Sequence, residues 1–334
     1  MIKSNSRFRT LALAVLSAVF AGCATNPAST LPGAEGPTFT VPAAALSQPL
    51  KFVAYGDMRF TDPTRTDASS PTVRRALIAR IAEEQPSGVF ISGDIPWRGG
   101  VVADYAVFRT ETEVWRERGL RIYPVLGNHE FYGASEAQCL ENWWNTFPEL
   151  RDHRWYSVAL GTSLRAIALD SDAPLVAGSP QRAWLEAELK GLPRSVKFVL
   201  VSLHHPPVAD PATGSLASHN PRPNEVALAE YLNAIAPKVH ERFVVVAGHT
   251  HNYERFEVEG VTYVVSGGGG AHPYEVERGP LDLYHGKDFP NFHYLRFTLS
   301  GDRLSAEMVR VGDPDAAVPH VFEVRDRFEV RARP

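Results

Sequence analysis

Short apolar runs recur along the chain, and most of them end in glycine followed by a polar side chain. Residues 50–55 run into Gly56-Asp57, residues 88–92 into Gly93-Asp94, and residues 122–126 into Gly127-Asn128-His129-Glu130. Later, residues 196–203 lead to His204-His205-Pro206-Pro207, residues 243–247 to Gly248-His249-Thr250-His251, and residues 261–266 to Gly267-Gly268-Gly269-Gly270. Continuous apolar runs rich in Val and Ile predict strands buried on both faces. Helical spacing fills the gaps. Val73, Leu77, Ile78 and Ile81 follow Ser70-Pro71, a cap and first position. One helix is predicted near residues 104–118, with Tyr105, Phe108, Val114 and Trp115 inward and Gly119 as its stop. Another opens at Ser179-Pro180, carries Trp184, Leu185 and Leu189, and closes at Gly191. Asn224 is expected to cap a third, with Val226, Leu228, Tyr231, Leu232 and Ile235. Residues 155–160 and 164–169 read as a strand pair, and residues 292–299, 304–311 and 321–330 alternate as antiparallel strands do. Strands alternating with helices predict an α/β fold.

Ligands gather at the carboxyl ends of strands in open α/β sheets, where these polar residues stand. His249 and His251 share a face if the backbone stays extended. Taken singly, each motif has a plain reading. Asp57 and Asp94 are equally good turn formers, and Asn128-His129 is compatible with an Asn turn beside an incidental His. His204-His205 is harder to dismiss, because Pro206 and Pro207 stiffen its exit. Carboxylates, an amide oxygen and imidazoles together suit Mn, Fe or Zn. His153, His219, His240, His285, His293 and His320 have no comparable setting and read as surface or loop residues, while His272 stays open. The glycine run reads better as a turn that lets backbone approach the site than as a phosphate loop, since no Lys or Ser/Thr follows in the required pattern. No nucleophile elbow, CxxC pair or HExxH helix is present, which leaves metal-assisted hydrolysis.

The amino terminus reads as a targeting segment. Lys3, Arg7 and Arg9 precede an apolar stretch over residues 11–21 that is too short to span a bilayer. Phe20-Ala21-Gly22-Cys23 is similar to a bacterial lipoprotein cleavage box, with Phe20 where Leu is usual. Residues 1–22 are expected to be a lipoprotein-type signal peptide, and a lipidated Cys23 would hold the chain on a membrane surface of the bacterial cell envelope, periplasmic or exposed. Cys139, the only other cysteine, would then lack a partner. Residues 23–49, rich in Pro, Ala, Ser, Thr and Gly, are expected to form a flexible tether, with the folded domain over 50–334. Without Lys3, Arg7 and Arg9 the net charge goes from −4 to −7, so no basic nucleic-acid footprint exists and an anionic substrate would need local cations.

Together, Gly56-Asp57, Gly93-Asp94, Gly127-Asn128-His129-Glu130, His204-His205-Pro206 and Gly248-His249-Thr250-His251 resemble the calcineurin-like metallophosphoesterase superfamily. His251-Asn252-Tyr253-Glu254-Arg255 and the glycine run are similar to its purple acid phosphatase-like branch. The resemblance implies a four-layer α/β/β/α sandwich of two mixed sheets and two divalent transition metal ions. Asp94 would bridge them, Asp57 and His251 would complete the first site, and Asn128, His204 and His249 would hold the second. His129 is similar to the residue that assists the leaving group or binds phosphate, and a metal-bound hydroxide would attack a phosphoester in line. Phosphomonoesters are favoured over diesters because of the likeness after His251. Two positions depart from the pattern: Arg59 stands where the family has a ligand His, and Trp97 where the purple branch has Tyr. Arg stays protonated and does not ligate metals. Three readings of the first site stay open. It binds its ion through Asp57, Asp94, His251 and water; it binds weakly; or Arg59 replaces part of the charge by gripping a substrate oxygen. The alternative function is a metal- or phosphate-binding lipoprotein with little or no turnover, and a scaffold built on the C-terminal strands is a further one.

Overall fold

Two mixed sheets pack face to face, and their strands follow the apolar runs closely. A computed structural model describes residues 36–315 and 319–334. The expected signal peptide, Cys23 and the start of the tether lie outside the described residues.

One sheet has seven strands: β1 (Thr38–Val41), β5 (Tyr156–Leu160), β6 (Leu164–Ala168), β7 (Phe198–Ser202), β8 (Arg242–Ala247), β9 (Tyr253–Val258) and β10 (Val261–Ser266), in the order β1-β5-β6-β7-β8-β10-β9. The other has six: β2 (Leu50–Tyr55), β3 (Val89–Ile91), β4 (Ile122–Pro124), β11 (His293–Ser300), β12 (Arg303–Val311) and β13 (Phe322–Arg331), in the order β13-β12-β11-β2-β3-β4. β2, β3 and β4 pair in parallel, while β11, β12 and β13 extend that sheet antiparallel from β2. The C-terminal alternation therefore completes the sheet rather than forming a module of its own.

Period-two burial shows how the layers stack. Phe198, Leu200, Val244 and Val246 join Phe52, Ala54 and Phe90 in the core between the sheets. Their neighbours Val199, Val201, Phe243 and Val245 instead meet Trp184 and Leu185 of helix α5 (Pro180–Lys190) and Leu228 and Leu232 of α6 (Pro223–Ile235). On the outer side of the second sheet lie α1 (Pro71–Glu84), α2 (Val102–Glu111) and α3 (Glu113–Glu117), with Trp115 donating to the Ile78 carbonyl at 2.9 Å. α4 (Glu136–Thr146) follows the third strand-end motif.

Several expectations are corrected. The single helix over 104–118 is two, because the Thr112 hydroxyl bonds back to the Phe108 carbonyl at 2.6 Å and the chain leaves helical geometry there. Asn224 sits inside α6 and does not cap it; its amide instead ties down the Ser171 and Ala173 carbonyls and the Leu175 N–H. The segment expected as tether over 23–49 includes a strand at Thr38–Val41. Thr-Phe-Thr-Val alternates, pairs in parallel with β5, and sets Phe39 edge-on to Tyr156 at 5.7 Å. Proline- and alanine-rich flanks hid that strand from a reading by composition.

Candidate metal centre

All the strand-end motifs meet at one place. Asp57 follows β2, Asp94 follows β3, Asn128 and His129 follow β4, His204 follows β7, and His249 and His251 follow β8. Each sheet thus supplies three of the six candidate ligands. Asp57, Asp94, Arg59 and His249 all hold left-handed backbone, with φ of 66°, 54°, 49° and 69°. Such strain in non-glycine residues persists only where surroundings enforce it. Here the Asp57 N–H donates to the Gly93 carbonyl, the Arg59 N–H to the Asp94 carbonyl, and the His249 N–H to the Asp57 carboxylate at 3.0 Å. A β-carbon at Gly248 would lie 2.5 Å from Asp57 Oδ2, so that position needs glycine. Gly269 donates to the Gly56 carbonyl and Ala271 to that of Asp57, so the glycine run does bring backbone up against the site.

Four acceptor atoms converge at the second position. His204 Nδ1 donates to the Ser92 carbonyl at 2.8 Å, which leaves Nε2 with its lone pair. That nitrogen lies 2.9 Å from Asn128 Oδ1, 3.2 Å from Asp94 Oδ1 and 3.2 Å from His249 Nδ1. Asn128 Oδ1 is also 3.1 Å from His249 Nδ1, while its Nδ2 donates to the Tyr132 hydroxyl at 3.0 Å, which fixes the amide's orientation. At the first position, His251 Nδ1 donates to the His272 carbonyl at 2.7 Å. Its Nε2 is buried without a partner and faces Asp57 Oδ1 at 3.5 Å. Lone pairs crowded against one another in a buried site call for cations, and the O/N donor set fits divalent transition metals.

The electrostatics agree. Burial holds His249 and His251 well below the ordinary imidazole range, so both are neutral. Burial works to raise Asp94, but His204, His129 and Arg59 outweigh it and hold that carboxyl well below its usual range. Burial lifts Asp57 to about 7. For His204, burial is opposed by Asp94 and Asp57, which keep the imidazole above its ordinary value, so a proton and a cation compete for Nε2.

Around this core sit residues with different tasks. His129 donates from Nδ1 to the Trp97 carbonyl at 2.7 Å and lies between the Trp97 and Tyr132 rings, 4.7 Å and 4.6 Å away. Its Nε2 is 3.8 Å from Asp94 Oδ2. Arg59 reaches the same oxygen at 3.2 Å, with its guanidinium 5.5 Å from the Trp97 ring centre. Glu130 was not singled out by the sequence, yet its carboxylate accepts the N–H groups of Asp94, Ile95 and Gly127. His219, read as a surface or loop residue, lies 4.7 Å from His249 with the rings tilted, and Tyr274 stacks on His251 at 4.2 Å. His205 closes the other side of His249 at 4.2 Å, its Nδ1 on the Ser171 hydroxyl at 2.8 Å. His272 contributes its carbonyl; its ring turns away to the Thr66 carbonyl. The Tyr253 and Arg255 side chains both bind Asp326, so of residues 251–255 only His251 faces the centre with a ligating atom, and these two build the fold.

A family model described as calcineurin-like phosphoesterase matches residues 50–253. No curated protein matches. Among solved structures, the chain is similar to a purple acid phosphatase from yellow lupin (Lupinus luteus) seeds, with a TM-score of 0.67 and 20% identity over 87% of this chain and 55% of that one. It therefore spans about half that relative's length. A dimetal phosphatase from Danio rerio aligns with a TM-score of 0.54 and 16% identity, covering 83% of this chain and 99% of that one. PhoD aligns with a TM-score of 0.62 and 13% identity, covering 87% and 71%. At these identities the likeness is one of fold.

Proposed function

The chain belongs to the calcineurin-like phosphoesterase family, and from that premise we propose that it hydrolyses phosphoesters with two divalent metal ions held by Asp57, Asp94, Asn128, His204, His249 and His251. The observation that carries this reading is the convergence of Asp94 Oδ1, Asn128 Oδ1, His204 Nε2 and His249 Nδ1 within 2.9–3.2 Å contacts, with Asp57 and His251 alongside. When bound, such ions make water nucleophilic near neutral pH and offset charge on the phosphoryl oxygens. Mn, Fe and Zn all suit the donors, and the absence of a tyrosine ligand at Trp97 argues against a purple iron-tyrosinate centre.

The protein's own side chains supply the rest. Arg59 and His129 both face Asp94 Oδ2, so a phosphoryl group seated there meets a guanidinium and an imidazole Nε2. The guanidinium grips a phosphoryl oxygen with its remaining N–H donors. The Trp97 carbonyl holds His129 Nδ1 as donor, which aims the lone pair of Nε2 at the reacting group; Nε2 serves the leaving oxygen only after taking up a proton, which burial of the ring disfavours. The aromatic walls of Trp97 and Tyr132 keep that ring from turning. Phosphomonoesters are favoured over diesters because a terminal phosphate exposes more oxygen to both groups.

Metal-reconstituted protein assayed on para-nitrophenyl phosphate and its bis-ester tests this. Turnover should appear, favour the monoester, and fall about 10²–10⁴-fold in His129→Ala with metal content kept. In Asp94→Ala both metal and turnover should go. Stable metal with no turnover across a broad phosphoester panel would instead support the metal- or phosphate-binding alternative, which Arg59's grip on Asp94 favours. A cell-envelope position rests on Lys3, Arg7, Arg9 and the Ala21-Gly22-Cys23 box. Cys23→Ser should move the protein from the membrane to the soluble fraction, and a wild type that is soluble and unlipidated would remove that proposal. Among the described residues no helix is long and apolar enough to cross a membrane.

A further inference from the structure

Resting on the metal-centre reading above, we infer that Arg59 makes the two metal positions unequal: it takes the Asp94 oxygen that the first position needs and supplies part of that ion's charge. The division of Asp94 carries this. Oδ1 accepts the His129 N–H at 3.0 Å and faces His204 Nε2 at 3.2 Å, so it serves the second position. Oδ2 accepts Arg59 Nε at 3.3 Å and Nη2 at 3.2 Å. The first position therefore has Asp57 and His251 as its uncontested donors, and a permanent cation beside it. The second has four donor atoms, and the Arg59 guanidinium bonds to none of those four, its Asp94 contacts being to Oδ2 alone.

Arg59 is built in place, which separates it from a surface arginine that swings aside. Its side chain is 13% exposed and packs over Trp97. Its backbone is left-handed, with the N–H on the Asp94 carbonyl at 3.0 Å. Its carbonyl accepts the Ser69 hydroxyl at 3.3 Å, and that hydroxyl is held by Arg74 Nη1 at 2.7 Å. Arg74 is itself buried and paired twice with Glu111 at 2.9 Å. A guanidinium does not deprotonate to make room for a metal. The second position therefore fills first, and the first fills only at higher metal concentration.

Metal-stripped wild type, Arg59→His, Arg59→Gln and Asn128→Ala, titrated with Mn²⁺ by calorimetry and counted by elemental analysis after dialysis, test the inference without an activity assay. Wild type should retain one ion per chain, with a second binding at least tenfold more weakly. Both Arg59 variants should tighten the weaker position by about tenfold or more, the scale on which groups next to metal ligands act. Arg59→Gln carries the comparison if Arg59→His does not fold. Two ions of equal affinity in wild type, or unchanged affinities in the folded variants, would overturn it. Asn128→Ala checks the reading beneath. It should lose the tight ion, and a variant that keeps wild-type stoichiometry would sink the metal centre itself and this inference with it.

Discussion

At Glu130, burial and hydrogen bonding pull in opposite directions. Burial lifts the carboxyl to about 8, although three backbone N–H groups donate to it. Those donors belong to Asp94, Ile95 and Gly127, so one side chain pins two strand ends that carry ligands. Glu130→Ala would leave three buried N–H groups without partners. Each orphan costs about 1–3 kcal/mol, so urea unfolding should show a loss of roughly 3 kcal/mol or more, and Mn²⁺ binding should weaken as the Asp94 backbone relaxes. A loss under about 1 kcal/mol would mean that water takes over these bonds. Glu130 also marks where sequence reading stops at this scale. The gathering of Asp57, Asp94, Asn128, His204, His249 and His251 was legible because each stands within four residues of a strand's end, a local signal. Glu130 acts on backbone 35 and 36 residues away, and His219 and Tyr274 arrive from loops without periodicity, so only the fold shows their roles.

At the scale of elements, the apolar runs named nearly every strand, because a buried strand needs little beyond a short β-branched run. The exceptions have identifiable causes. β1 is short and set among prolines, and the two-helix break at Thr112 comes from one hydroxyl. β11 is the instructive case. Its alternation is legible, but His293 reads in the sequence as a surface or loop residue. It falls on the face that Leu295, Phe297 and Leu299 bury, while Arg296, Thr298 and Ser300 line the more open one; His293 is fully buried, with Nδ1 donating to the Asn291 carbonyl and Nε2 accepting from the Ser266 hydroxyl. Burial lowers its pKa to about 4. The unfolded chain takes up this proton near pH 6.5, before the folded one does. The stability from a neutral His293 is thus complete above about pH 6.5 and is lost as pH falls toward 4, by up to about 3 kcal/mol. Unfolding free energies of wild type and His293→Gln at pH 7.5 and 5 should converge on acidification. A difference independent of pH would show that His293 is protonated or exposed in the fold.

The whole molecule places its candidate metal ligands on both sides of the sandwich. Asp57, Asp94 and Asn128 come from the six-stranded sheet, and His204, His249 and His251 from the seven-stranded one. Without cations the two halves of the site bring buried lone pairs together; bound cations would let the same atoms tie one sheet to the other. The unfolded chain cannot assemble these six donors, so bound metal adds its binding free energy to folding. At a metal concentration a hundredfold above the dissociation constant the gain is about 2.7 kcal/mol. For a chain of this size that corresponds to roughly 5 °C or more in melting temperature. Chelation should therefore lower the melting temperature of wild type, and Asn128→Ala should melt near the chelated value whether or not metal is added. The gain from metal should also shrink below neutral pH, because a proton on His204 competes with the cation for Nε2. A melting temperature indifferent to chelator would mean that the core between the sheets holds them alone, and that the ligands, though gathered, bind nothing firmly.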